Sequence, residues 1–157
     1  IDIVLTPLDI KERFNTMESI DIYPTANIFC TSLNDPLAQQ DSVTFLDIRQ
    51  RPIAVLNSKL PVDWPLQIRL CTNTSSLIRE AVSKGILCAL LPQDFVRDWD
   101  DVAVLPFNPP QNCAVKAVWN KNLPHSSALQ EFVDFLLEYF AAQGIVLPEE
   151  KIEDDEI

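Results

Sequence analysis

The chain's 157 residues suffice to bury a core, and 47% apolar with 22% charged residues place it among soluble globular proteins. A net charge of −11 with no Lys/Arg cluster argues against nucleic acid held on its surface. No apolar stretch approaches the roughly 18–20 residues that span a bilayer, and no basic leader precedes an apolar core at the start, so the expectation is a cytoplasmic protein without membrane contact.

Taken in order, Asp2-Ile-Val-Leu-Thr6 reads as a short strand leading to Pro7, and the chain begins abruptly inside it. Tyr23 to Ser32, which contains the apolar Ile28-Phe29-Cys30, reads as a strand. Thr44-Phe-Leu-Asp47 has capping-box chemistry and starts a short helix, which Arg51-Pro52 stops because the residue before proline is pushed out of the α region. Ile53 to Leu56 is a buried strand, followed by Asn57-Ser58-Lys59 at its carboxyl end. The next strand is expected at Leu66–Leu70. Only six residues with two prolines, Leu60-Pro-Val-Asp-Trp-Pro65, stand before it, too few for the helical crossover of a dozen or more residues that a parallel pair requires.

The most informative block follows. Asn73 or Thr74 is placed to cap a helix in which Leu77, Ile78, Ala81 and Val82 recur at helical spacing, and Gly85 stands where a helix end needs positive φ. Ile86 to Leu91 is a wholly apolar run closed by Pro92, the pattern of a strand covered on both faces. Gln93 to Asp101 is a polar connection with Phe95, Val96 and Trp99 turned back onto the sheet. Phe107-Asn-Pro-Pro110 reads as a rigid loop, since adjacent prolines oppose both helix and central strand. A strand over Ala114 to Trp119 comes next. Ser127-Ala-Leu-Gln130 is a capping box, and Leu129, Phe132, Val133, Leu136, Leu137 and Phe140 form the apolar stripe of a last helix ended by Gly144. Residues 149–157 are an acidic tail with six carboxylates and one lysine.

Little in the chain speaks for catalysis. His125 is the single histidine, beside Pro124 in a turn and without a metal-ligand spacing, so it reads as a solvated loop residue and no metal is expected. Two glycines cannot build a phosphate-binding loop, which excludes that class of cofactor, and none is expected. No Gly-x-Ser-x-Gly elbow occurs, and the chain is not read as an enzyme. Cys30, Cys71, Cys88 and Cys113 are widely spaced in apolar runs and are expected to be buried, reduced thiols. What remains is a set of polar groups at strand carboxyl ends and one helix start: Thr6, Asn57, Ser58, Asn73, Thr74 and Ser75. The helix start near Thr74 suits a carboxylate or another anion, although Asn73 and Thr74 serve equally as plain caps.

The block of a polar cap, an amphipathic helix ending in Val82-Ser-Lys-Gly85 and a strand ending in Leu90-Leu-Pro92 resembles the effector-sensing domain of LysR-type transcriptional regulators. Asp35-Pro-Leu-Ala38, Ser42 to Ile48, Pro52-Ile-Ala-Val55, Leu105-Pro106 and the last helix resemble further elements of that family in the same order. The resemblance implies an α/β, two-lobed, periplasmic-binding-protein-like (type 2) fold, here truncated. Residues 1–30 with 117–148 would form one partial lobe and residues 31–116 the other. It also implies a small-molecule effector between the lobes, touched by the loops at Thr6–Pro7, Asn57-Ser58-Lys59 and Ile86–Leu87, while Asn73, Thr74 and Ser75 join the candidate site through their place at the helix start. Ile86 and Leu87 would form an apolar wall suited to an apolar or amphipathic ligand, Leu87 standing where the family commonly has glycine. A homo-oligomer, dimer or tetramer, would bind DNA through an N-terminal domain absent from this chain. The short connection before Leu66 is read as omitted or excised residues. The rival readings are a solute-binding protein of the same fold and a module that oligomerises without sensing.

Overall fold

Residues 53–56 and 88–91 are apolar at every position, and the structure shows why. In a computed structural model, which describes residues 3–7, 15–56, 64–124 and 126–144, both segments are central strands with a packed layer on each face. The described strands are β1 (Val4–Thr6), β2 (Met17–Ser32), β3 (Pro52–Leu56), β4 (Gln67–Thr72), β5 (Cys88–Pro92) and β6 (Val102–Asn120). The described helices are α1 (Phe45–Ile48), α2 (Ser75–Ser83) and α3 (Ser127–Ala142). The chain forms two compact units, and β2 and β6 each run through both: unit 2 takes Thr25–Cys113, and unit 1 takes β1, the earlier part of β2, the later part of β6, and α3.

In unit 2, β5 pairs antiparallel with β2 and parallel with β3, and β3 pairs parallel with β4. Alternation along each strand separates two cores. Ala54, Leu56, Ala89 and Leu91 face Ile78 and Val82 of α2, with Val96 and the partly buried Phe95 and Trp99 beside them, as expected for the segment after Pro92. Ile53, Val55, Cys88 and Leu90 face Val43, Ile48 and Phe107. Each large side chain so buried contributes about 1.5–3 kcal/mol, which is why neither strand tolerates a polar position.

The β3–β4 pair forms in parallel register, Pro52 opposite Gln67 and Leu56 opposite Thr72, so the short connection does not prevent it. Trp64 covers part of the sheet face on the way, its ring 5.4 Å from Phe45 and 5.3 Å from Phe107. Asn57, Ser58 and Lys59 lie outside the described residues.

Two further expectations are corrected. Phe107-Asn-Pro-Pro110 is not a loop: β6 runs unbroken through it. Here Asn108 donates to Val43 O at 2.9 Å, and the prolines follow on an exposed stretch where an amide donor is not needed. The helix block begins one residue earlier than the Ser127 capping box, with Ser126 Oγ accepting from Leu129 N at 3.1 Å. The α1 box is present through its acid, since the Asp47 carboxylate accepts from Thr44 N at 2.7 Å and from its hydroxyl at 3.0 Å.

In unit 1, β1 pairs antiparallel with β6, and α3 lies on a core of Ile22, Ala117 and Leu136 extended by Tyr23 and Phe140. Lys116 pairs with Asp21 at 2.7 Å. Phe132 does not join the buried stripe of α3; it is 42% exposed.

Candidate functional site

Because β3, β4 and β5 are mutually parallel, unit 2 has a carboxyl edge and an amino edge that differ in chemistry. The carboxyl edge carries Leu56, from which Asn57 and Ser58 follow, and Thr72, from which Asn73, Thr74 and Ser75 lead into α2. Leu56 and Thr72 are direct partners in the register. Open α/β sheets receive ligands at such an edge.

Thr74 holds the N-cap position of α2 without accepting a side-chain capping bond. Its hydroxyl is directed to Asn73 Oδ1 at 3.5 Å instead, and its own amide donates to Thr72 Oγ1 at 3.1 Å. The expected side-chain cap is therefore absent, and Asn73 and Thr74 are both exposed. The start of α2 combines amide donors with the positive end of the helix dipole, an arrangement that favours an anion. At the same edge, Thr25 donates to the Asp94 carboxylate, which also receives Arg97 Nη2 at 3.3 Å. Nothing local in the sequence pairs Thr25 with Asp94, 69 positions apart.

Ile86 and Leu87 are at the other edge. They immediately precede Cys88, the amino end of β5, while the Asn73 to Ser75 turn follows the carboxyl end of β4, and the parallel strands hold these ends a strand length apart. Ile86 and Leu87 therefore do not stand beside Thr74 in the sheet, where the expected apolar wall would have put them. Ile86 is 64% exposed, and Leu87 packs on the α2 side of the sheet. Their role is to close the helix: Gly85 at φ +72° lets Gly85 N donate to Val82 O at 2.9 Å and Ile86 N to Ala81 O at 3.0 Å, a Schellman ending. Thr6 is buried at the end of β1 in unit 1, and Pro7, half-buried, falls with unit 2.

The amino edge holds a closed polar network that the sequence did not announce. Asp35 accepts from Leu37 N at 2.9 Å, from Thr31 Oγ1 at 2.8 Å and from Arg51, while Thr31 Oγ1 lies 3.5 Å from Cys88 Sγ. Burial pushes the Asp35 carboxyl up, but the bonds from Arg51, Leu37 and Thr31 together outweigh it and hold it below the usual range. Asp35 before Pro-Leu is a readable cap signal; its pairing with Arg51 is not.

The cysteines divide. Cys30 and Cys88 are buried, and burial, reinforced by Cys88, pushes the Cys30 thiol up to about 12. Contrary to the expectation that all four are buried, Cys71 is exposed, because β4 lies at the edge of the sheet, and Cys113 is half-exposed on β6. His125 and the acidic tail are outside the described residues. Among the described residues no three His, Cys, Asp or Glu side chains gather as a metal site, and no helix is long and apolar enough to cross a membrane.

Comparison with known proteins agrees with this architecture. The LysR substrate binding domain family matches residues 1–141, and the chain belongs to it. Its mixed sheet with helices is the periplasmic-binding-protein-like type 2 fold of those domains. HinK, a LysR family transcriptional regulator from Pseudomonas aeruginosa, superposes with a TM-score of 0.69 at 17% identity over 88% of this chain and 53% of its own. The oxidized form of OxyR gives 0.72 at 14% identity, covering 91% of this chain and 74% of that one. The effector binding domain of QuiR, in complex with shikimate, gives 0.70 at 18% identity over 93% and 74%. At such identities the likeness is one of fold, and the chain spans about half the length of HinK. No curated protein matches the sequence.

Proposed function

We propose that this chain is the effector-sensing part of a LysR-type transcriptional regulator and that it receives a small molecule bearing an anionic group at the carboxyl edge of unit 2. Asn73, Thr74 and Ser75 hold the anion at the start of α2, and Asn57 and Ser58, next in sequence after β3, contribute hydrogen bonds to the rest of the ligand. The observation that carries this reading is the uncapped, exposed beginning of α2 at the edge where such sheets bind ligands. Ile86 and Leu87 have no part in it. As in other two-state sensors, the ligand acts only through a difference in affinity between two arrangements of the protein. A homo-oligomer and DNA contact through a part of the regulator outside these residues complete the proposal.

Thr74→Asp separates a ligand site from a plain cap. An aspartate at the N-cap stabilises α2 by up to about 1 kcal/mol while placing a negative charge where the anion would sit. Against a panel of small carboxylic acids, the wild-type chain should show binding by calorimetry that Thr74→Asp removes, with melting temperature unchanged or raised. Equal binding by both proteins would remove α2 from the site.

A further inference from the structure

The outer face of α3 carries an apolar stripe that nothing described so far uses. Ala128, Phe132, Phe135, Tyr139 and Ala142 recur at alternating spacings of four and three, on an exposed face that borders the buried Leu136, one turn from Phe132. The three rings are 42%, 56% and 49% exposed. They form one ladder, with centroids 6.5 Å apart between Phe132 and Phe135 and 5.9 Å between Phe135 and Tyr139. Single exposed apolar residues are ordinary on a soluble protein, but a contiguous aromatic strip over two helical turns marks an interaction surface.

Charge says what kind of partner fits. Glu131, Asp134 and Glu138 are exposed along one flank of the stripe, and α3 contains no Lys, Arg or His. Among the described residues none of the three carboxylates is in an ion pair. The other flank, through Leu129 and Leu136, is turned into unit 1. The α3 of a second copy is a poor occupant, because packing α3 on α3 sets the acidic row against its own image or against a flank that is already buried. We propose that this face docks an amphipathic helix of another polypeptide segment, one presenting an apolar stripe at the same heptad spacing and Lys or Arg along its edge. Recognition then has two parts: the aromatic ladder inserts between the partner's apolar side chains, and the acidic row selects for basic flanks and against acidic ones.

Two synthetic peptides test this against the full chain by fluorescence anisotropy, both with leucine at heptad spacing, one with lysine and one with glutamate flanks. The lysine peptide should bind at least about tenfold more tightly than the glutamate peptide, a difference of roughly 1.4 kcal/mol. Phe135→Asp should weaken the lysine peptide by about tenfold or more even though it adds negative charge, which separates docking from general attraction to an acidic protein. Because the Phe135 ring is largely exposed, the fold should persist, and an unchanged melting curve checks this. Glu138→Lys should reduce the preference between the two peptides without touching the ladder. Equal binding of both peptides, binding of neither, or indifference to Phe135→Asp would overturn the proposal. So would a self-associated chain that Phe135→Asp converts to monomer while neither peptide binds.

Discussion

The two edges of the parallel strands in unit 2 are built from similar residue types and have opposite characters. At the amino edge, Asp35, Arg51 and Thr31 satisfy one another beside Cys88, and little is left to offer a ligand. At the carboxyl edge, Asn73 and Thr74 stand exposed at a helix start that their side chains do not cap. Polar groups closed on each other hold the fold; polar groups left open to solvent are available for binding. The contrast separates stability from recognition within one small sheet.

The contrast can be broken at the amino edge first. Asp35→Ala leaves Arg51, whose side chain is 30% exposed, without its partner and removes the cap of the following turn, and should cost about 3 kcal/mol in urea unfolding. Arg79→Ala, which breaks surface pairs to Asp100 and Asp101, should cost far less, because solvent screens exposed pairs. A loss at Asp35 no greater than at Arg79 would show that the network is not closed. The same carboxyl gives an acid limb. Its pKa is held below the unfolded value, so its contribution is complete above that value, near 3.9, and is lost as pH falls through the depressed folded one. Asp35→Asn should flatten that part of the stability curve.

The helix end comes next. Gly85→Ala should cost about 1–2 kcal/mol through its φ of +72° alone, because an added Cβ would meet Ser32 Cβ at an ordinary 3.8 Å. The alkaline side is governed by Cys30. Its folded thiol ionises only near 12, so stability should fall as pH rises above the ordinary thiol value of about 8.5, and Cys30→Ala should remove that slope. The smallest effect is expected at the carboxyl edge itself. Thr74→Ala should cost less than about 0.5 kcal/mol, below the usual 1 for a lost cap, because the Thr74 hydroxyl makes no capping bond. A full capping cost would close the carboxyl edge and erase the comparison.

Where the physics is local, the sequence decided the outcome. The all-apolar runs at Ile53 to Leu56 and Ile86 to Leu91 demanded strands covered on both faces, and they are, except that Ile86 and Leu87 stand before β5 begins at Cys88. Gly85 demanded a left-handed helix end, and Gly144, at φ +74°, another. The order of these signals, with the polar cap and Leu-Leu-Pro, was enough for the family. Other features depend on which residues meet across the chain, and there local pattern gave no guidance. The prolines at 109 and 110 read as a loop, yet lie in β6, because the stretch they occupy is exposed and needs no amide donor. Phe132 fits a core stripe by spacing, but the rotation of α3 against its sheet leaves it outside. Ile86 and Leu87 stand close in sequence to the α2 start, yet parallel pairing of β4, β3 and β5 carries them to the opposite edge. Strand direction and partner choice are set by long-range pairing. Only the tertiary structure could therefore decide which polar residues share an edge, and which of them remain open to a ligand.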